Sequence, residues 1–237
     1  MKENQTISRM DQLLAAAAKV FISRGYHRAA MSEIAREMGV APGTIYLYVE
    51  SKEALFHLLA ARTAVNPRAP LPDMPELPVK TPPPGTTLQM LQRAMTLQGY
   101  APRLAAALSR SGDTAIFDDC GALIAELFDS AYERRVGINL IERSAIDWPE
   151  LAETFYEGLR APLVKALATY LERGIAAGKL RAVPDSHVAA RFIVETIAWF
   201  AIHRHGDPRP KDFSDEKARE GVIDLVTASI RAEAQRE

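Results

Sequence analysis

The stretch "GVAPGTIYLYVESKEALF", residues 39–56, combines residues that a helical core avoids with residues suited to contacting another molecule. Pro42 and Gly43 are poor in a helix interior, whereas proline suits the first turn of a helix. Tyr46 and Tyr48 lie two residues apart, so they cannot share one face of a helix. We therefore predict a short helix over about 42–48 whose exposed side chains meet something outside the chain.

Helices are predicted on both sides of this stretch. In "ISRMDQLLAAAAKVFISRG", apolar residues recur at three- and four-residue steps, which predicts a first helix that ends at Gly25. A second, short helix covers 31–38 and stops at Gly39, and a fourth begins after Ser51, a favourable N-cap. Two short helices joined by a glycine-containing turn form a helix-turn-helix, whose second helix enters the major groove of DNA.

The helix-turn-helix interpretation gives the unusual residues a role in DNA binding. The predicted DNA-contacting residues are Pro42, Gly43, Thr44, Tyr46, Tyr48 and Lys52. Gly43 has no side chain to hold DNA away, and free N–H groups at a helix start favour a phosphate. Ile45 and Val49, four apart, are expected to face inward. The alternatives are half-buried packing for the two tyrosines and a solvated surface position for Lys52.

The segment "GYHRAAMSEIAREMGVAPGTIYLYVESKEALF", residues 25–56, resembles the tetracycline-repressor-like (TetR) regulators. The resemblance is close over roughly the first quarter of the chain and continues beyond it mainly in the order of the helices. It implies that the DNA backbone is contacted by Tyr48 and Lys52, and that bases and nearby phosphates are met by Pro42, Gly43, Thr44 and Tyr46. The chain departs from the family pattern at Ala29, Ala30, Ala41 and Val49. We therefore expect a weaker phosphate contact at the start of the second helix, partly replaced by Ser32.

Charge and cysteine content narrow the class of protein. The 237 residues carry a net charge of −1, but residues 1–62 hold eight Lys and Arg against six acids, which weakly favours an anion-binding N-terminal part. Cys120 is the only cysteine, so no intrachain disulfide or cysteine-based zinc site is expected. No stretch approaches the roughly 18–20 apolar residues that span a bilayer, and the polar N-terminus lacks a signal-peptide core. We expect a cytoplasmic protein without membrane contact, metal or cofactor.

Prolines divide the chain into two predicted domains. Eight of the fifteen prolines lie between Asn66 and Pro84, where neither a helix nor a central strand can form. The predicted fold is all-α, with a three-helix DNA-binding domain over 1–64, a connector over 65–85 and a larger helical domain over 86–237. Since a proline-rich chain transmits force poorly unless it is packed down, the connector is expected to act mainly as a tether or a flap.

The second domain is predicted to form the dimer contact. Long amphipathic helices are predicted over 117–145 and over 149–178, the latter broken or bent at Pro162. The segment "AARFIVETIAWFAI" is apolar nearly all round, which predicts burial on two sides. The resemblance implies a homodimer through the last two long helices and a palindromic double-stranded DNA operator. The predicted dimer residues are Phe192, Trp199, Phe200, Val222, Leu225 and Val226.

The resemblance also implies that this domain binds a small, largely apolar effector of unknown identity. The candidate lining residues are Phe117, Cys120, Phe128, Tyr132, Asn139, Phe155, Tyr156, Trp199 and His203. Plain core packing is the alternative for each of them. His203 and His205 point apart on a helix, so they do not form a metal pair.

Three functions remain from the sequence. The first is a homodimeric, effector-responsive transcriptional regulator, with repression implied by the family alone. The second is a helical binding or scaffold protein whose N-terminal domain no longer reads specific DNA. The third is an enzyme of the helical domain, but the sequence has no activated nucleophile and no glycine-rich phosphate loop after a strand, so a non-enzyme is predicted.

Overall fold

The computed structural model describes residues 2–65, 67, 76–110, 117–207 and 213–232. Within these ranges the chain is helical and contains no strand, which confirms the all-α prediction. The helices are α1 (Lys2–Arg24), α2 (Met31–Met38), α3 (Pro42–Ile45), α4 (Lys52–Ala60), α5 (Thr86–Ala94), α6 (Leu97–Tyr100), α7 (Pro102–Ser109), α8 (Cys120–Glu133), α9 (Arg135–Ala145), α10 (Pro149–Phe155), α11 (Ala161–Ala176), α12 (Ser186–Ala201) and α13 (Asp215–Ile230). Wider π-helical turns cover Ala61–Val65 and Tyr156–Arg160, and a 3₁₀ turn covers His203–Gly206. In the described part of the chain, no helix is both long and apolar enough to cross a membrane.

The chain packs as two compact units. The first comprises Met1–Ala94 with Val136–Phe155, and the second Met95–Arg135 with Tyr156–Glu237. The first unit therefore holds α5, α9 and α10 in addition to the predicted DNA-binding helices. The predicted domain limits (1–64, 65–85 and 86–237) stay a prediction, and residues 66 and 68–75 of the connector lie outside the described residues.

Local chemistry ends the first helices where the sequence predicts. Gly25 and Gly39 adopt left-handed backbone angles, with φ of +81° and +73°, which a residue with a side chain rarely takes. Each stops a helix, because a left-handed residue cannot continue it. The hydroxyl of Ser51 accepts a hydrogen bond from the Ala54 amide at 3.1 Å and so caps α4. These helix limits are confirmed.

The core of the first unit is aromatic. Phe21 of α1 and Phe56 of α4 meet edge to face with ring centroids 5.5 Å apart, and Tyr26 lies 4.8 Å from Phe56. Trp148, which immediately precedes α10, adds its ring at 5.0 Å from Tyr26. A residue from far along the sequence thus completes the core beneath the helix-turn-helix.

A glycine allows α9 to approach the π-helical turn after α4 (Ala61–Val65) closely. A Cβ placed on Gly137 would lie 2.5 Å from the backbone nitrogen of Ala64 and 2.5 Å from the carbonyl carbon of Thr63. Real Cβ atoms do not come this close to backbone, so any side chain at 137 forces the two segments apart.

We predict that Gly137→Ala lowers the free energy of unfolding by about 1–3 kcal/mol, as overpacking of a close contact does. Urea denaturation followed by circular dichroism measures it. Gly43→Ala is the matched control, because a Cβ at Gly43 meets no atom within 4 Å and should leave the midpoint nearly unchanged. Equal midpoints for the two variants would contradict the close packing of α9.

The second unit is a layered helical bundle. Helix α11 packs against α7 and α12, and α12 packs also against α8 and α13. The helix predicted over 117–145 is wrong as a single element, because it ends at Arg134 (φ −94°, ψ 8°) and restarts as α9. The interruption predicted near Pro162 is confirmed, since a π-helical turn ends at Arg160 and Pro162 lies in the first turn of α11.

A buried ionic group links three elements of this unit. Arg204 is almost fully buried; its guanidinium donates to the Phe200 carbonyl at 2.7 Å and to the Asp215 carboxylate. The hydroxyl of Tyr132 donates to the other Asp215 oxygen at 2.6 Å. These bonds, first from Tyr132 and then from Arg204, hold the pKa of Asp215 below its ordinary value. They fix the start of α13 against α8 and the end of α12.

Candidate nucleic-acid interface

Helix α3 and the turn after it have one anchored side and one open side. Ile45 and Val49 are fully buried, as predicted from their spacing. The α-helix ends at Ile45, but amide bonds from Leu47 to the Thr44 carbonyl (3.2 Å) and from Tyr48 to the Ile45 carbonyl (2.9 Å) continue the coil. The predicted helical stretch over about 42–48 is thus an α-helical turn followed by tighter turns.

Gly43 leaves a gap on the open side. Its φ is not positive, and a Cβ there would have no neighbour within 4 Å. Neither backbone conformation nor packing inside the protein therefore requires glycine at this position. The missing side chain instead leaves the first turn of α3 open to close approach from outside.

The other predicted DNA-contacting residues surround this gap. Pro42 and Tyr46 are exposed, whereas Thr44 and Tyr48 are partly exposed. Leu47 is 66 % exposed, and the sequence interpretation overlooked it because it considered only polar and aromatic contacts. The signal was available, since Leu47 is out of register with the two inward-facing residues.

Lys52 is occupied inside the protein. Its ammonium group donates to the carbonyl oxygens of Tyr26, His27 and Ala29 at 3.0, 3.2 and 3.2 Å. An ammonium has three donors, so these bonds use all of them. The nitrogen also lies 4.7 Å from the centre of the Tyr26 ring. Lys52 therefore ties the α1–α2 connection to the start of α4, and its predicted contact with the DNA backbone stays a prediction.

The start of α2 lacks a hydroxyl cap. Ala29 is buried and Ala30 is the N-cap residue without a side-chain acceptor. The Ala30 amide instead donates to the Glu33 carboxylate at 3.1 Å. Ser32 is exposed in the first turn of α2. The weaker phosphate contact expected at this helix start stays a prediction.

Tyr26 is held neutral below this surface. Burial and, second, a hydrogen bond to Glu53 raise the pKa of the Tyr26 hydroxyl far above its ordinary value. The uncharged ring packs against Lys52 and Trp148.

The second unit contains an apolar cavity of about 50 Å³. It is lined by Tyr100, Leu127, Ala131, Leu163, Val194, Ile197, Ala198 and Ile202. None of the predicted effector residues is among them. Of the predicted residues, Phe117 packs on Tyr170 at 5.0 Å, Cys120 is buried, and Phe128 stacks on Tyr132 at 6.4 Å. Asn139 and Phe155 belong to the first unit, whereas Tyr156, Trp199 and His203 belong to the second, and their role in effector binding stays a prediction.

The predicted dimer residues divide between surface and core. Phe192, Trp199 and Leu225 are 60 %, 46 % and 71 % exposed, whereas Val222 and Val226 are buried. Phe200 is partly buried and lies 6.0 Å from Phe213. Val188, 65 % exposed, extends the apolar stripe of α12 toward its start and was not among the predicted residues.

Comparison with known proteins supports the same assignment for both ends of the chain. Residues 13–59 match the family described as bacterial regulatory proteins, tetR family, and residues 139–232 match the C-terminal domain of AefR-like transcriptional repressors. The chain belongs to the TetR family. This membership confirms the resemblance seen in the sequence.

Two curated TetR-type relatives are similar over a short region. The fatty acid metabolism regulator protein of Bacillus subtilis is 50 % identical over 42 residues, which cover 18 % of this chain and 22 % of the relative. The transcriptional activator FasR of Mycolicibacterium smegmatis is 43 % identical over 58 residues, 24 % of this chain and 26 % of the relative. These matches span about a quarter of the relatives' length.

A solved structure supports the TetR fold over nearly the whole chain. The ketosteroid transcriptional regulator KstR2 of Mycobacterium tuberculosis is 17 % identical, with 95 % of this chain and 96 % of that chain covered and a TM-score of 0.56. At this identity the likeness concerns the fold alone.

The bonds of Lys52 predict a structural role that DNA titration distinguishes from a phosphate contact. We expect Lys52→Met to lower the thermal midpoint, because three backbone carbonyls lose their donor. The slope of log DNA affinity against log salt should stay unchanged, whereas loss of a phosphate contact reduces it by about one. Lys19→Met, an exposed lysine paired with Glu37, is the control for loss of a surface charge. A flattened slope with an unchanged midpoint would contradict the structural role.

Proposed function

We propose that this protein is a transcriptional regulator that binds a double-stranded DNA operator through α3 and the following turn. The observation that carries the proposal is the open surface of Gly43, Tyr46 and Leu47 over the buried anchors Ile45 and Val49. A surface built this way is firmly held from inside and free of protein contacts outside. Residues of a recognition helix need both properties to meet base edges in the major groove.

The chemistry of the exposed side chains suits a DNA groove. The Thr44 hydroxyl and the Tyr46 phenol offer hydrogen bonds to bases or phosphates, and Leu47 offers an apolar contact to a thymine methyl group. Tyr48 is partly buried, and its proposed partner is the DNA backbone. The function is therefore recognition of DNA rather than catalysis, in line with the regulatory names of the relatives.

We predict that the wild-type protein retards a DNA fragment from upstream of its own gene in a gel-shift assay. Tyr46→Ala should lower the preference for that fragment over random DNA by about tenfold, since a good base contact is worth about 1–3 kcal/mol. Tyr48→Phe should weaken both DNAs equally. Tyr156→Ala, a partly exposed tyrosine of the second unit, is the matched control. A folded wild-type protein that binds both DNAs equally would favour the scaffold alternative.

The proposed regulator acts as a homodimer. Helix α12 buries Ile193, Val194 and Ile197 within its own unit while Val188, Phe192 and Trp199 stay exposed. These three exposed residues follow steps of four and seven, so they form one stripe along the helix. Exposed apolar surface of this kind is typical of a protein contact, and Leu225 of α13 is a further exposed apolar residue. A two-fold dimer also presents two reading surfaces to a palindromic operator.

The dimer proposal changes the role of two predicted residues. Val222 and Val226 lie in the core and support α13 from inside, so the proposed contact surface consists of Val188, Phe192, Trp199 and Leu225.

We predict that Phe192→Glu gives a monomer of about 26 kDa in light scattering, because each copy would place an uncompensated charge in an apolar contact. Its affinity for the operator should fall while circular dichroism stays unchanged. Ile146→Glu, which adds the same charge at an exposed apolar residue of the first unit, should leave the dimer intact. A monomeric wild-type protein, or a dimeric Phe192→Glu variant, would contradict this surface.

The proposal includes control by a small, largely apolar effector. The cavity lined by α6, α8, α11 and α12 is apolar apart from the phenol of Tyr100, which matches such a ligand. At about 50 Å³ it is smaller than a drug-sized ligand, so an effector of that size must push the lining helices apart. Binding that favours such an opened form shifts the population of DNA-binding conformations. The match to the C-terminal domain of AefR-like transcriptional repressors supports repression as the mode of control. The proposed place of action is the cytoplasm, where the chromosome is.

A further inference from the structure

A short segment after the prolines bonds to the end of the proposed DNA-reading turn. The Val79 amide donates to the Tyr48 carbonyl at 2.8 Å, and the Glu50 amide donates to the Val79 carbonyl at 2.9 Å. The two bonds form an isolated parallel bridge between Val49 and Val79. Backbone groups some thirty residues apart in sequence thus satisfy each other at the end of the recognition segment.

Side chains strengthen the same contact. The Glu50 carboxylate accepts from the Lys80 ammonium at 2.6 Å and from the Thr81 amide at 2.9 Å. The Thr81 hydroxyl donates to Ser51, the N-cap of α4, at 2.8 Å. Lys80 first, and the Thr81 amide second, hold the pKa of Glu50 below its ordinary value. Residues 79–81, which we call the strap, therefore grip residues 48–51 through five hydrogen bonds.

We infer that the strap positions the DNA-reading turn, and that Glu50 is a positioning residue rather than a DNA contact. The inference rests on the proposed DNA binding. Helix α3 has only four residues, and the turns after it are held largely by hydrogen bonds between residues three apart. Such bonds have poorer geometry than α-helical ones, so they fix residues 46–49 poorly by themselves. The strap supplies a donor to the Tyr48 carbonyl and an acceptor to the Glu50 amide. It thereby fixes the backbone on which the Tyr46, Leu47 and Tyr48 side chains stand.

Removing the charge of Glu50 tests the inference, because the direction of the change in DNA affinity separates two explanations. An exposed carboxylate beside a DNA-binding surface repels phosphates, so its removal should tighten binding if electrostatics alone acts. If the strap positions the turn, the same removal weakens binding because the turn loses its support. The two explanations predict changes in opposite directions.

The test measures DNA affinity, the salt slope and the thermal midpoint of the full chain with Glu50→Gln, Lys80→Met and the double variant. Each single variant should weaken binding to the wild-type operator fragment by about three- to tenfold, the size expected for the net loss of one solvent-exposed hydrogen bond. The double variant should bind DNA no more weakly than the single variant with the lower affinity, because both changes release the same strap. The thermal midpoint should stay near that of the wild type, since the strap is exposed.

Glu76→Gln is the matched control. Glu76 acts on Lys80 through charge, but among the described residues it has no hydrogen bond to residues 48–51. Its removal should leave affinity unchanged or slightly tighter. Thr81→Val, which changes no charge, should weaken binding in the same direction as Glu50→Gln.

Tighter binding by Glu50→Gln, or independent losses that add in the double variant, would overturn the strap while leaving the DNA-binding proposal intact. If the wild type binds no DNA, the proposed function fails, and hydrogen exchange tests the strap by itself. The Glu50 and Val79 amides should then exchange faster in Lys80→Met than in the wild type, with amides in α1 unchanged. Unchanged exchange at both amides would refute the strap.

Discussion

The burial of Ile45 and Val49 is the constraint on which the proposed DNA-reading surface depends. A helix of four residues has no stability of its own, because nucleation costs more than so few hydrogen bonds return. Each buried aliphatic side chain contributes about 1.5–3 kcal/mol, which helps to hold α3 on α2, against which it packs. Once these two residues face inward, the coil geometry turns Gly43, Tyr46 and Leu47 outward. The exposure of the surface thus follows from the anchoring of its opposite side.

Polar groups complete what apolar burial begins. The connection between α1 and α2 leaves three carbonyl oxygens without helical donors, and the Lys52 ammonium satisfies all of them. The Glu33 carboxylate accepts a hydrogen bond from the Ala30 amide and so satisfies one free N–H group at the start of α2. The family pattern suggests a phosphate contact for Lys52, but in this chain its ammonium group bonds three backbone carbonyls and so stabilises the fold.

The sequence predicted those features that depend on neighbouring residues. Helix limits at Gly25, Gly39 and Ser51 follow from caps, whose chemistry is local. The contact of Trp148 with Tyr26 depends on packing between distant segments, which no local pattern carries.

The effector residues chosen from the sequence stay a prediction. Some of the large aromatic residues among them lie in the core, as Phe128 does, whereas Trp199 is exposed. The cavity forms where Ala131 and Ala198 leave space between larger neighbours. In the same way, Leu225 is exposed although Val222 and Val226, on neighbouring helical positions, are buried, and only the packed helix shows which of them faces outward.

The strap also bears on the predicted role of the connector, residues 65–85. The sequence predicts that the connector acts mainly as a tether or a flap, but residues 79–81 are bonded to residues 48–51, and Pro82, Pro83 and Pro84 restrict the chain that follows. Helix α5 comes next and is held to α4 by a 3.0 Å hydrogen bond between His57 and Thr87, a histidine whose pKa burial lowers so that it stays neutral. The chain then enters α6, which ends at Tyr100 in the lining of the cavity. The strap and the bond between His57 and Thr87 thus hold residues 79–87 at both ends within the first unit, so this part of the connector is not a free tether.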